Sequence, residues 1–383
     1  MSVAGLTAQA VGAEDEEEAR AALVRGSAIG LIIGTCLVVL MVPLGNLAMT
    51  LLAVDSDASA TTLNTARQYF DIRIIGAPFA LATYAGLGWL TARGRTDFLM
   101  VVSVGMTVIN IALDYWFVVE LGRGADGVAL GTLLAEISGF VACAGFVFLT
   151  LMNTGGVKTN WDRQRFFDPA KLGKTISVNR DIFIRTALLA FSFAWFTQRS
   201  GAFGDITLAA NQVLMQMFLF TGLALDGTAI AAETLVGRAI GSKDAHRGLQ
   251  RFNAAVIATS IPALIAALGF MAVYALFGDA IIALLTPPGS LRDTAGDYLP
   301  WIIISPVMVL VAFQLDGIFI GATKSKEMRD GMIVSTVLFI PLSLWLAPKY
   351  GNHGLWLAFT LYFLLRGVTL AYPARSWKKW FGD

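Results

Sequence analysis

Phe252–Phe277 reads FNAAVIATSIPALIAALGFMAVYALF, 26 residues without one charged side chain. A helix needs about 20 mostly apolar residues to cross the hydrocarbon of a bilayer, so this stretch is read as a membrane span. Its charges lie outside it, at Arg247 and Arg251 on one side and Asp279 on the other. The same pattern runs along the chain. Gly26–Val54, with a kink expected at Pro43, Ile74–Ala92, Phe98–Val119 and Gly127–Leu151 precede a polar stretch, Asn153–Arg180. Ile182–Gln198, Ile206–Val236, Phe252–Phe277, Tyr298–Thr323, Gly331–Ala347 and Gly354–Pro373 follow it, for about ten spans. Composition agrees: 56% of residues are hydrophobic, 14% are charged and the mean hydropathy is +0.68. A soluble domain carries about 25% charged residues. The fold class is therefore all-α integral membrane, with no soluble domain of any size.

Of the 28 Lys and Arg, twenty fall in alternate connections that include both ends of the chain, and six in the others. The positive-inside rule then puts both termini in the cytoplasm, which suits an even number of spans. The N-terminus does not read as a signal peptide, because the acidic cluster Glu14–Glu18 stands where positive charge would come first. That cluster suits the first turn of the next helix, where negative charge meets the dipole. A net charge of +1 gives no reason to expect nucleic acid as a partner. Cys36 and Cys143 sit in apolar runs and read as small core residues, and His246 and His353 stand alone. Gly173-Lys174-Thr175 has the end of a P-loop without its first glycine, and no HExxH, GxSxG or CxxC occurs, so no enzyme is indicated. No cofactor and no metal are expected.

The two halves of the chain resemble each other. AQAVGAEDEEEA from Ala8 lines up with GRAIGSKDAHRG from Gly237, and Gly12/Gly241, Asp15/Asp244, Tyr69/Tyr298 and Gly88/Gly317 all share a spacing of 229. GVALGT from Gly127 pairs with GLWLAF from Gly354 at 227. Both copies run in the same direction, so this is a parallel duplication. It divides the chain into an N-terminal lobe, 1–152, of four helices, a cytoplasmic linker, 153–178, and a C-terminal lobe, 179–383, of six helices. The second copy has two helices ahead of GRAIG where the first has only Met1–Thr7. Ten spans of a structure built for twelve are expected, either through a mis-assigned start or in a shortened paralogue.

Ionisable groups at membrane depth are costly and point to function. Glu136 lies nine residues into its span. Asp226 and Glu233 share a helix seven residues apart, facing nearly one way about 10 Å apart along the axis. Asp316 follows Gln314 by two residues in the cytoplasmic half of its span, and Asn110 and Asp114 form an i, i+4 pair. One reading makes these groups helix glue, paired with Arg185 and Arg366. The other makes them a proton or cation relay, with Asp226 and Asp316 close enough to share a proton. Gly26, Gly30 and Gly34, and Gly127 and Gly131, read as sites of close helix packing. Trp89, Trp116, Trp195, Trp301 and Trp356 read as interface anchors or packing residues.

Leu225–Asp244 (LDGTAIAAETLVGRAIGSKD), Gln314–Met332 (QLDGIFIGATKSKEMRDGM), Gly351–Gly367 (GNHGLWLAFTLYFLLRG) and the AQAVGAED loop resemble the DinF branch of the multidrug and toxic compound extrusion (MATE) transporters. The resemblance covers essentially the whole chain. It implies a twelve-helix fold of two pseudo-symmetric six-helix lobes around a V-shaped cavity, and alternating access. It also implies export of amphipathic, often cationic compounds driven by inward proton or sodium flow, in a bacterial inner membrane. The partners expected are a small amphipathic substrate and membrane lipid, with the chain a monomer. The family carries an acidic residue on the first helix of its N-terminal lobe, and this chain lacks that helix, which puts ion coupling in question. A lipid-linked precursor flippase of the same superfamily and a transport-inactive paralogue are the alternatives.

Overall fold

The structure, a computed structural model, describes residues 2–54, 60–156 and 163–381. Among them the chain is helical with no strand. The α-helices are α1 (Ser2–Gly12), α2 (Glu16–Val39), α3 (Met41–Val54), α4 (Ala60–Ile74), α5 (Ala77–Ala92), α6 (Thr96–Asp114) and α7 (Ala125–Asn153). After these come α8 (Arg163–Phe166), α9 (Pro169–Gly201), α10 (Asp205–Ile240), α11 (Ala245–Leu285), α12 (Ser290–Gly321) and α13 (Ser325–Ala374). Seven of the helices are long and apolar enough to cross a membrane, or eight when the pair either side of Ile75 and Gly76, bent by 48°, counts as one span. This is an all-helical, multi-pass membrane protein.

The spans differ from the sequence reading at Leu40 and at the start of α9, whereas the last two spans are both present within one broken helix. The first breaks at Leu40 rather than at Pro43. Pro43 falls in the first turn of α3, where a missing N–H costs nothing. Ile182–Gln198 lies within α9, which starts at Pro169, inside the stretch read as a polar linker. α9 is not among the seven apolar helices, because Asp181 and Arg185 at one end and Gln198 and Arg199 at the other shorten its apolar stretch. The rest of the linker reading falls partly on 157–162, outside the described residues. Gly331–Ala347 and Gly354–Pro373 are the two limbs of α13, which departs from helical geometry at Gly351 (φ 60°, ψ −145°). Fifty residues of straight helix would run about 75 Å, more than twice the hydrocarbon thickness. Gly351 supplies the break in a conformation that side chains disfavour.

The chain divides into two compact units, one of residues 15–175 and the other of residues 4–14 with 176–383. Residues 4–14, which the sequence reading groups with the N-terminal lobe, thus pack with the second unit. In the first unit, α2 lies on α5. Gly30 and Gly34 face the backbone of Leu81 and Pro78, and the fully buried Trp89 donates its indole N–H to Ala19 O at 2.9 Å. Gly127, Gly131 and Gly139 of α7 face Phe117, Asp114 and Met106. These small residues work as packing sites. Cys143 is buried, whereas Cys36 is exposed on the apolar face of α2 beside Ile32 and Leu40.

In the second unit, α10 and α12 approach closely because Gly317 and Gly321 meet the backbone of Ala229 and Glu233. An aromatic core fills the space behind them, with Phe196 and Trp356 at 4.8 Å and Phe218 and Phe363 at 5.2 Å between ring centroids. Asn352, next to the break in α13, is tied to α10. Asn211 donates to Asn352 Oδ1 at 2.7 Å and to Ser200 Oγ at 2.8 Å, and Asn211 Oδ1 accepts from Asn352 at 2.9 Å and Trp356 at 2.9 Å. All of these side chains are buried, and buried amides require this degree of satisfaction.

Candidate functional site

In the second unit a charge cluster lies at the meeting of α9, α10, α12 and α13. Asp316 Oδ2 accepts from Arg366 Nη2 at 2.7 Å and from Arg185 Nη2. All three are buried, with Arg185 8%, Arg366 3% and Asp316 6% exposed. Burying charges so far from water is costly unless they are paired, and here two cations share one carboxylate. Each guanidinium keeps a buried nitrogen without a hydrogen-bond partner, Nε of Arg185 and Nη1 of Arg366.

Asp226 belongs to the same neighbourhood. Gly317 faces Ala229 and Gly321 faces Glu233, so α10 and α12 run parallel with residue 228 opposite Asp316. Asp226 is then about 3 Å along the axis from that level, and it feels the charges of Asp316, Arg185 and Arg366. It is exposed and makes no hydrogen bond or ion pair with the described residues. The sequence reading has Asp226 and Asp316 sharing a proton. The geometry divides the pair differently, because two guanidinium groups already neutralise Asp316 and only Asp226 is open. With all four groups ionised the cluster sums to zero, and a proton on Asp226 takes it to +1.

Glu233, two turns further along α10, is buried at 6% exposure and its Oε1 has no partner. Gln314 donates to Thr259 Oγ1 of α11 at 2.6 Å, and its own Oε1 is unpaired. Neither touches the arginine cluster through a hydrogen bond.

The first unit has its own site. Arg73 holds Glu136 through two parallel bonds, Nη1 to Oε2 at 3.0 Å and Nη2 to Oε1 at 2.8 Å. Arg73 also borders an open cavity of about 670 Å³ lined by Thr61, Thr65, Tyr69, Phe70 and Ala125. Hydroxyls, aromatic faces and one guanidinium give it an amphipathic lining. Asn110 bridges α6 and α7, donating to Thr132 Oγ1 at 3.2 Å and to Asp114 Oδ1 at 3.4 Å. The role of Arg73 was not legible from the sequence, which places it in the connection before Ile74. The available signal was its spacing of four from Tyr69, which puts both on one helix face.

The MatE family profile matches residues 1–116 and 182–348. The chain is 36% identical over 388 residues to DNA damage-inducible protein F of Escherichia coli (strain K12), covering 100% of this chain and 81% of that protein. It is 25% identical over 347 residues to Protein DETOXIFICATION 43 of Arabidopsis thaliana, covering 89% of this chain and 62% of that protein. A crystal structure of MATE in complex with MaL6 has the same fold, with a TM-score of 0.86 at 19% identity, covering 99% of this chain and 84% of that one.

Proposed function

From the premise that this chain belongs to the MATE family of transporters, on its DinF branch, we propose that it exports amphipathic cations in exchange for inward-moving protons or sodium ions, by alternating access. Members of this family are transporters and not enzymes. The observation that carries the ion-coupled reading is Asp226, an exposed carboxylate beside a buried cluster, Arg185, Arg366 and Asp316, whose charges leave one positive charge over. A carboxylate in such a place binds one cation at a time. A proton or sodium ion entering from one side and a cationic substrate leaving from the other would compete for it, and competition for one site is what exchange requires. The site lies at membrane depth, where a charged group is costly and marks an ion pathway.

In this reading Asp316 fixes the two arginines. Glu233, Gln314, Asn110 and Asp114 support the helices that frame these sites. The Escherichia coli relative and the distribution of Lys and Arg support a bacterial inner membrane with both termini in the cytoplasm.

The test is gradient-driven flux of ethidium in proteoliposomes, under an imposed proton gradient and, separately, a sodium gradient. Asp226→Asn is expected to abolish flux under the coupling gradient while the protein stays monodisperse in detergent. Full gradient-driven flux in Asp226→Asn would overturn the ion-coupled reading.

A further inference from the structure

Two buried arginines, each with a buried nitrogen that lacks an acceptor, stand beside an exposed carboxylate that has no partner among the described residues. We infer that Arg185 and Arg366 are built-in counter-cations for Asp226, so that their guanidinium groups and the transported cation take turns on one carboxylate. The inference rests on the ion-coupled reading above.

The charges that face Asp226 come from three other helices. α9 brings Arg185, α12 brings Asp316 and α13 brings Arg366. α11 has no charged side chain between Arg251 and Asp279, and its Tyr274 is engaged, 2.9 Å from Thr221 Oγ1 and bonded to Met217 O at 2.8 Å. On α10 itself the next carboxylate is Glu233, about 10 Å further along the axis. The local set is therefore two cations and two carboxylates, of which only one carboxylate is engaged by the cations.

A buried guanidinium N–H without an acceptor costs the desolvation of that group. Nε of Arg185 and Nη1 of Arg366 are both in this position. Asp226 is the acceptor within electrostatic reach that has room to serve them. When a cation occupies Asp226, its charge is spent outward and the two donors stay unsatisfied. When the cation leaves, the carboxylate can turn inward and complete the quartet. Each state satisfies what the other leaves open, so the arginines assist release of a cation that Asp226 alone would hold too tightly. A carboxylate without such a competitor would bind better and turn over more slowly.

The experiment measures equilibrium binding of tetraphenylphosphonium to the purified protein, and its flux in proteoliposomes. Arg185→Gln and Arg366→Gln are expected to lower Kd for tetraphenylphosphonium roughly fivefold to tenfold, with slower flux at saturation. Arg185→Lys, which keeps the charge, should keep the wild-type Kd. If Arg185→Gln does not fold, Arg185→Met, which removes the same charge and leaves Asp316 paired with Arg366, takes its place with the same expectation. Unchanged or weaker binding in the folded arginine variants, with binding lost in Asp226→Asn, overturns the counter-cation inference alone. Wild-type binding in Asp226→Asn overturns the ion-coupled reading and the inference with it.

Discussion

Glu136 sits well inside its span, and from the sequence it is either helix glue or a relay group. The structure gives it a forked partner in Arg73, the geometry that guanidinium and carboxylate prefer. The pair is only partly withdrawn from solvent, with side chains 27% and 15% exposed. Breaking a fully buried pair costs about 3–5 kcal/mol and an exposed one less than about 1 kcal/mol, so Glu136→Gln is expected to cost roughly 1–3 kcal/mol. The double variant Arg73→Gln/Glu136→Gln should recover much of that loss, since it leaves no uncompensated charge. Thermal unfolding of both variants in detergent checks this, and equal losses in the single and double variants would contradict it. At this scale the sequence shows which residues are chemically unusual and not which residues they meet. Glu136, Asp226 and Asp316 all stand out as charges in apolar runs, and helical periodicity gives the face each one occupies. The partners come from other helices. Arg185 and Arg366 could be anticipated for Asp316 as the cations within spans, whereas Arg73 lies just before the bend at Ile75 and Gly76, and its partner comes from another helix.

Helix ends were more legible than helix partners. Asp15 and Asp244, equivalent in the internal repeat, cap the N-termini of equivalent helices, α2 and α11. Asp15 accepts from the Glu18 amide at 3.0 Å, and Asp244 accepts from the amides of His246 at 2.9 Å and Arg247 at 3.2 Å. The sequence match at 229 is thus a shared cap, the usual work of an aspartate at this position. At Asp15, burial pushes the carboxyl upward, but the Glu18 amide and the Arg165 guanidinium outweigh it and hold the carboxyl below its ordinary value. At Asp244 the Arg247 amide leads, and the carboxyl is again held low. A carboxyl with a lowered native value stabilises the fold above its unfolded value, about 3.9. That contribution is lost as pH falls through the native value. Asp15→Ala is therefore expected to cost roughly 1 kcal/mol at neutral pH, and the gap to wild type should close below about pH 4. Unfolding midpoints against pH in detergent measure the gap, and a constant gap down to pH 3 would refute the linkage. The elements that escaped the sequence reading did so for physical reasons. Pro43 signals a kink only in a helix interior, and it lies in a first turn. The start of α9 is hidden by polar residues that are compatible with helix outside the bilayer.

For the molecule as a whole, the repeat was the most informative signal, because a constant offset survives where individual identities are few. Its two copies meet in a reciprocal way within the second unit. A side chain at Gly12 would run into the backbone of Arg238, and one at Gly241 would run into the backbone of Gln9. Under the offset of 229, Gln9 corresponds to Arg238 and Gly12 to Gly241. Ala8 meets Gly237, its own counterpart. Residue i meeting the equivalent of j, and j the equivalent of i, is the mark of a two-fold relation, with self-equivalent residues on the axis. The GxxxG spacing of Gly237 and Gly241 is the kind that lets backbones come this close. Gly12→Ala and Gly241→Ala should then cost similar amounts, roughly 1–3 kcal/mol each by overpacking. Because both act on one contact, the first substitution already forces the segments apart, and the second meets a wider gap. The double variant is therefore expected to lose clearly less than the sum of the two single losses. Unfolding midpoints of the two single variants and the double variant in detergent decide it. Simple additivity would mean that the two glycines report on independent contacts, and the two-fold reading of this junction would fail.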